Sequence, residues 1–509
     1  MLYLIGTITK YVMLLCMVLY TIISFRALLY HRIFPERVPT DSLEERRRKM
    51  EDSDDLAEER WERSYVCQMG LAIICFLAGS VNLFLNHLTA GIILRSGVML
   101  LFLTAYPMIM QLIYPRLKTL LLCDFVMYSG IGYVILSRLS PEKYAPKQVL
   151  MLIVIGAALM WIPKIIEKLK DAKIPAAILG ILGLISLIGV IFLGSKVYGA
   201  NLSISLKGFS IQPSEVVKIT FVMLIAMLFR NRSDFKRVFF ATGVAAVHVL
   251  VLVLSKDLGA ALIFFVTYLV MLYQATIHVK KGRLYPLAGL GCGAVGAVGA
   301  FLLFDHVRQR VTVWLDPWPK INDTGYQITQ SLFAIGNGSL LGTGLYRGRP
   351  TDIPLVSKDF IFAAIAEEFG GIFSIFLILA ILATILRMIR ISATLQTVFY
   401  RLVGLGFATV YAIQVFLTVG GDINMIPLTG VTLPWISYGG SSLLCMYLIF
   451  MILYGLVIMR ENEEIKIGEE YIFRGRSEGL RTKTDRPEQK KNKTGNGQGV
   501  QSGSGSRRS

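Results

Sequence analysis

Apolar residues in this chain gather into runs of membrane-crossing length, separated by short polar stretches. About thirteen such segments are placed, near 3–25, 64–86, 89–113, 119–137, 146–162, 175–196, 216–230, 238–254, 258–275, 284–304, 361–386, 398–420 and 438–458. Runs of this kind predict an all-α integral membrane protein, a polytopic helical bundle. The first run is long and lacks a small-residue cleavage site, so an uncleaved anchor is expected rather than a signal peptide.

Composition agrees: of 509 residues, 54% are hydrophobic and 17% charged. A net charge of +18 would suggest nucleic acid in a soluble protein. Here Lys and Arg fall mostly in short loops, where they report topology and anionic headgroups, and no nucleic-acid partner is implied. With the N-terminus outside, one face receives the basic groups at 46–49, 116–118, 164–173, 230–237, 280–283 and 387–390 and the tail after Arg460. The other face receives 139–145, 199–214, the turn at Asp257, the long loop 305–360 and 421–437. An exterior N-terminus and a cytoplasmic C-terminus follow as expectations.

Three regions are expected. Residues 1–118 form an N-terminal extension with about three spans and a charged cytoplasmic linker at 26–63, helical near 42–61. Residues 119–459 form the core, and 460–509 a basic tail expected to be disordered. The six cysteines lie in apolar segments without CxxC spacing, which suggests neither zinc nor a disulfide framework.

Five polar stretches interrupt the apolar background. Ser255-Lys256-Asp257-Leu258-Gly259 lies between two spans, with Gly259 expected to make the sharp turn. Asp257 is there either a solvated helix-end carboxylate or a functional group. Gln212-Pro213-Ser214-Glu215 is followed by Lys218 about one turn into a span; Lys218 needs an ion-pair partner or a polar cavity. The long loop carries Arg308, Arg310, Trp314, Gly325-Tyr326-Gln327 and a glycine-rich stretch before Arg347 and Arg349. Such a loop suits a sugar and phosphate ligand, or serves as a structured cap. Asp359-Phe360-Ile361-Phe362-Ala363 leads to Glu367-Glu368 inside a span, where at least one carboxylate should face a cavity or be protonated. The stretch from Pro427 to Ser442, with Ser437 and Ser441, is irregular backbone that belongs against protein or a cavity.

Together these stretches resemble the SEDS family, the RodA/FtsW/SpoVE proteins, over about 119–459. The resemblance rests on Gln212-Pro213-Ser214-Glu215 with Lys218, the Ser255–Gly259 turn, the run from Tyr326-Gln327 through Gln330-Ser331-Leu332, the Asp359–Glu368 element, and Pro427 to Ser442. It implies a ten-span SEDS core carrying the large extracytoplasmic loop 305–360, preceded here by about three extra spans. It also implies a multi-pass protein of the bacterial cytoplasmic membrane that is a peptidoglycan glycosyltransferase, polymerising lipid II into a growing glycan strand beside a class B penicillin-binding protein. The process served could be elongation, division or sporulation.

Asp257 matches the essential aspartate of the family, and the implied role is the general base that activates the acceptor 4-hydroxyl. Undecaprenyl pyrophosphate would leave, its charge offset by Arg308, Arg310, Arg347 or Arg349. Glu215, Lys218, Glu368, Ser437 and Ser441 are expected around the substrate. No cofactor is evident, the acidic groups form no clear metal-ligand pattern, and a divalent cation stays open. A lipid II flippase using the same groove, or a noncatalytic scaffold for the transpeptidase, are the rival readings.

Overall fold

The computed structural model describes residues 2–29, 43–115, 117, 119–168, 173–193, 195–197, 200–206, 209–231 and 234–484. Residues 30–42 of the linker, Arg116, Lys118 and the tail beyond 484 lie outside the described residues. The chain divides into two compact units, Met1–Glu461 and Asn462–Ser509.

Helices make the first unit. In order they are α1 (Leu2–Leu29), α2 (Leu43–Asn86), α3 (Ala90–Ile113), α4 (Leu121–Leu139), α5 (Ala145–Leu159), α6 (Ile162–Lys168), α7 (Lys173–Leu193), α8 (Pro213–Leu228) and α9 (Phe235–Leu254). They continue with α10 (Leu258–Thr276), α11 (Leu284–Leu303), α12 (Asp305–Leu315), α13 (Tyr326–Gly338), α14 (Ile361–Phe369), α15 (Gly371–Thr394), α16 (Val398–Asp422) and α17 (Gly440–Thr484). Among the described residues, 11 helices are long and apolar enough to cross a membrane. Helices α7 and α8 supply the two remaining apolar segments, α8 with only 16 residues. The polytopic helical bundle read from the hydrophobic pattern is the fold observed.

The structure departs from the pattern in four places. The helix expected near 42–61 is continuous with the second span as α2. A small antiparallel meander, β1 (Ser195–Val197), β2 (Ala200–Leu206) and β3 (Phe209–Ile211), occupies what read as a loop. Its signal is the strict alternation of polar and apolar residues in Asn201-Leu202-Ser203-Ile204-Ser205-Leu206. The backbone of α17 stays helical to Thr484, where disorder was expected. Glu and Lys after Arg460 are good helix formers despite their polarity.

The fourth departure lies where α14 meets α15. The segment expected as one span over 361–386 is broken at Gly370, whose φ of 92° is left-handed. There the chain 339–342 runs against the break: Gly371 N–H bonds Ser339 O at 2.8 Å and Ile372 N–H bonds Leu340 O at 3.1 Å. Thr343 and Gly344 N–H bond the carbonyls of Glu367 and Glu368 at 2.9 and 2.8 Å. Orphan groups of two helix ends are thereby met by one strand of loop. A Cβ on Gly370 would sit 2.3 Å from Gly342 N, so only glycine permits this approach.

Helix α4 is central, with every side chain from Leu121 to Ser137 buried. Helix α11 is the opposite case, with no buried residue. The N-terminal extension is welded to the core rather than tethered beside it: α1 packs on α2 and α15, and α2 on α4. Polar groups pin this junction. Tyr20 Oη donates to Asp124 Oδ1 at 2.7 Å, Arg387 pairs with the other oxygen of Asp124, and Thr21 Oγ1 donates to Phe376 O at 3.0 Å.

Candidate active site

Helix α9 ends in paired bonds, Lys256 N–H to Val253 O at 3.0 Å and Asp257 N–H to Leu252 O at 2.9 Å. This is the usual helix stop in which a residue just past the end takes a left-handed conformation. Here that residue is Lys256, with φ of 62°, instead of glycine. The turn is therefore made by Lys256 and not, as expected, by Gly259. Gly259 lies inside α10, buried, and its role is close approach: a Cβ would stand 2.6 Å from Val431 Cγ2.

A lysine at this position costs about 1 kcal/mol against glycine. Its side chain is exposed and lines the cavity described below. Lys256→Gly is expected to raise thermal stability by up to about 1 kcal/mol while slowing the reaction of the site. Melting and activity measured on the same preparation check this, and a variant that gains both is not expected.

The turn delivers Asp257 to the N-cap of α10. Its Oδ1 accepts from Ala260 N–H at 3.1 Å. Its Oδ2 accepts from Ser214 Oγ at 2.9 Å and Gln212 Nε2 at 3.2 Å, both at the start of α8. The carboxylate is thus held by one backbone N–H of α10 and by two side chains at the start of α8.

Asp257 faces a cavity of about 1200 Å³, whose wall includes Gln212, Glu215, Lys256, Arg310, Trp314, Lys358, Asp359 and Ser441. Apolar Met151, Ile263, Val313 and Val431 complete the lining. Arg310, on α12, donates from Nη1 to Leu428 O at 3.1 Å. Burial draws its pKa down, while the charges of Asp257 and Asp359 pull it back up. Asp359 is pushed up to about 6 by burial, against the opposing pull of Lys358 and Arg310. Among the described residues, no three His, Cys, Asp or Glu side chains gather as metal ligands would.

Of the residues singled out in the sequence, Asp257, Glu215, Arg310, Trp314, Tyr326, Gln327 and Ser441 come together on this cavity. Ser441 Oγ accepts the backbone N–H of Gln212 at 3.0 Å. The rest are placed elsewhere. Lys218 is buried beneath the wall, its Nζ 2.8 Å from Glu215 Oε2 and 2.8 Å from Gln414 Oε1. Ser437 is buried and donates to Lys358 O at 2.6 Å, holding the loop instead of facing ligand.

Glu368 is spent on Arg138 Nε at 2.8 Å and Tyr346 N–H at 3.1 Å. Arg308 is exposed at the start of α12, donating to Leu302 O at 3.0 Å. Arg347 covers the Tyr3 ring at 3.9 Å and donates to Tyr3 O at 3.1 Å, tying the loop to α1. The backbone N–H of Arg349 bonds Glu367 Oε1 at 3.0 Å, and its side chain does not line the cavity. Loop length hides which arginine turns inward, so spacing could not separate Arg310 from the other three. Sequence reasoning assigned no cavity role to Lys256, Lys358, Asp359 or Gln212, although all but Lys358 stood in the quoted stretches.

The FtsW/RodA/SpoVE family model, described as a cell cycle protein, matches residues 111–462. Peptidoglycan glycosyltransferase RodA of Mycobacterium tuberculosis (strain H37Rv) is 36% identical over 369 residues, covering 67% of this chain and 77% of that protein. Probable peptidoglycan glycosyltransferase FtsW of Geobacter sulfurreducens (strain PCA) is 35% identical over 276 residues, covering 52% of this chain and 72% of that protein. A solved chain from a peptidoglycan synthase complex that coordinates polymerization and crosslinking aligns with a TM-score of 0.55 at 23% identity, covering 67% of this chain and 96% of that one. The helical core that carries the Asp257 cavity lies wholly inside the matched residues, and the chain belongs to the FtsW/RodA/SpoVE family.

Proposed function

We propose that this protein is a peptidoglycan glycosyltransferase that polymerises lipid II into glycan strands at the outer face of the cytoplasmic membrane, with Asp257 as general base. The observation that carries the reading is a carboxylate fixed by three donors on the wall of a cavity also lined by Arg310, Lys256 and Lys358. In the reaction the acceptor 4-hydroxyl oxygen bonds to the anomeric carbon of the donor sugar. Its proton passes to Asp257, and the bond from that carbon to the pyrophosphate oxygen breaks. Undecaprenyl pyrophosphate leaves with the electron pair, its charge met by the three cations. The apolar wall of Met151, Ile263, Val313 and Val431 suits the lipid end of the donor.

The charge pattern of the loops supports an exterior cavity and N-terminus. The names of the relatives support the activity, and the synthase complex supports a class B penicillin-binding protein as partner. The test is the purified full chain, with that partner, given labelled lipid II. Glycan chains are expected. Exchange of lipid II between vesicle leaflets without glycan would identify a flippase and overturn the reading.

Asp359 gives a pH signature. Its folded pKa of about 6 stands above the unfolded value near 4. The folded state therefore binds the proton more tightly, so this group's contribution to stability is full below about pH 4 and is lost as pH rises to about 6. Asp359→Asn is expected to remove that decline. Melting temperatures of both proteins between pH 4 and 7 check it: parallel curves would contradict the assignment.

A further inference from the structure

We propose that Gln414 is a positioning residue of this site, acting through Lys218 on the turn of α8 that holds Asp257. The proposal rests on the polymerisation reading above. Gln414 is fully buried on α16 and does not itself line the cavity. Its Oε1 accepts from Lys218 Nζ at 2.8 Å, and its Nε2 donates to Thr432 O at 3.1 Å and Ser442 Oγ at 3.2 Å. Both Thr432 and Ser442 line the cavity, and Thr432 Oγ1 donates to Ser442 Oγ at 2.9 Å.

The chemistry of the partners fixes the orientation. An ammonium has only donors, so the amide oxygen must face Lys218, and the amide NH₂ then faces the Thr432 carbonyl, which only accepts. No other uncharged side chain of this length supplies an acceptor at one end and donors at the other. One amide thereby joins α8, α16, α17 and the irregular segment before α17.

Lys218 lies one turn along α8 from Ser214 and Glu215. It also pairs with Glu215 Oε2 at 2.8 Å, and Ser214 and Gln212 are the donors to Asp257 Oδ2. A buried ammonium deprived of one partner would seek another, and the first turn of α8 would shift with it. Misplacement of a reacting group by about 1 Å costs as much as 10²-fold in rate. Because Gln414 touches no substrate, the loss falls on kcat and not on KM.

The test uses the full chain with its transpeptidase partner and labelled lipid II, as wild type, Gln414→Leu, Gln414→Glu, Lys218→Met and the double variant Lys218→Met/Gln414→Leu. Gln414→Leu and Gln414→Glu are expected to lower kcat about tenfold or more with KM held within about threefold. Glutamate fails because it aims a carboxylate at the Thr432 carbonyl. The double variant should lose no more rate than Lys218→Met alone, since the pair works as a unit. Wild-type kcat in Gln414→Leu, or losses that simply add, would overturn the proposal.

Should Gln414→Leu fail to fold, the double variant decides. It removes ammonium and amide together, and a folded double variant with wild-type rate is fatal to the idea. If the wild type itself makes no glycan, the polymerisation reading fails separately. The melting temperatures of wild type, Gln414→Leu, Lys218→Met and the double variant then decide the link: non-additive shifts support it, and additive ones overturn it.

Discussion

Asp257→Asn is expected to lower glycan polymerisation by about 10²- to 10⁴-fold, the usual contribution of a positioned general base. The substitution is chosen because it leaves the fold nearly untouched. Asparagine is as good an N-cap as aspartate, so the bond from Ala260 N–H to the side-chain oxygen survives. Ser214 Oγ, which now donates at 2.9 Å, can turn and accept from the new amide. What disappears is the lone pair able to take a proton from the acceptor hydroxyl. Thermal melting within about 1 kcal/mol of wild type is therefore expected beside the collapse in rate. Labelled lipid II with gel analysis of the product reads the rate. A purified Asp257→Asn chain that polymerises at the wild-type rate would remove Asp257 from the chemistry and overturn its assignment as the base.

The parts of this site that could be read from sequence are those set by local rules. Spans follow from apolar run length, and Asp257 stands out because a charge between two spans needs a reason. The break at Gly370 was illegible because its cause is remote: the backbone at 339–342 must arrive from across the loop before a left-handed glycine makes sense. The same holds for Arg347. Composition placed it among phosphate-binding candidates, yet its partners are Tyr3 and Thr7, more than three hundred residues earlier. Gly259 shows a subtler failure. A glycine beside a turn reads as the turn-maker, but the left-handed residue is Lys256 and Gly259 is needed for packing against Val431. Local propensity names the residue type and tertiary contact decides its use.

Contact also explains why the extra spans belong to one compact unit with the core. The family match begins at residue 111, so α1 and α2 fall outside it. They nonetheless bury polar groups against the core. Lys10 Nζ donates to Gly342 O at 3.1 Å, beside the loop that Arg347 ties to Tyr3. The extension thus braces the glycine-rich loop that meets the end of α14.

Arg387→Met should be the most destabilising single change at this junction, by about 3–5 kcal/mol. Asp124 is fully buried, and its partners are the Arg387 guanidinium and the Tyr20 hydroxyl, which donates at 2.7 Å. Methionine matches the volume of the arginine stem but leaves a carboxylate in an apolar interior with one neutral donor. The carboxylate must then take up a proton or draw water into the seam between α1, α4 and α15, and either loosens the extension. Removing both charges, as Asp124→Asn with Arg387→Met, should recover most of the loss, because replacing a buried ion pair is far milder than breaking one. Melting temperatures of purified wild type, single and double variants in one detergent measure this. A single variant that melts with the wild type would mean that water already reaches Asp124 and that the pair is not what holds the extension to the core.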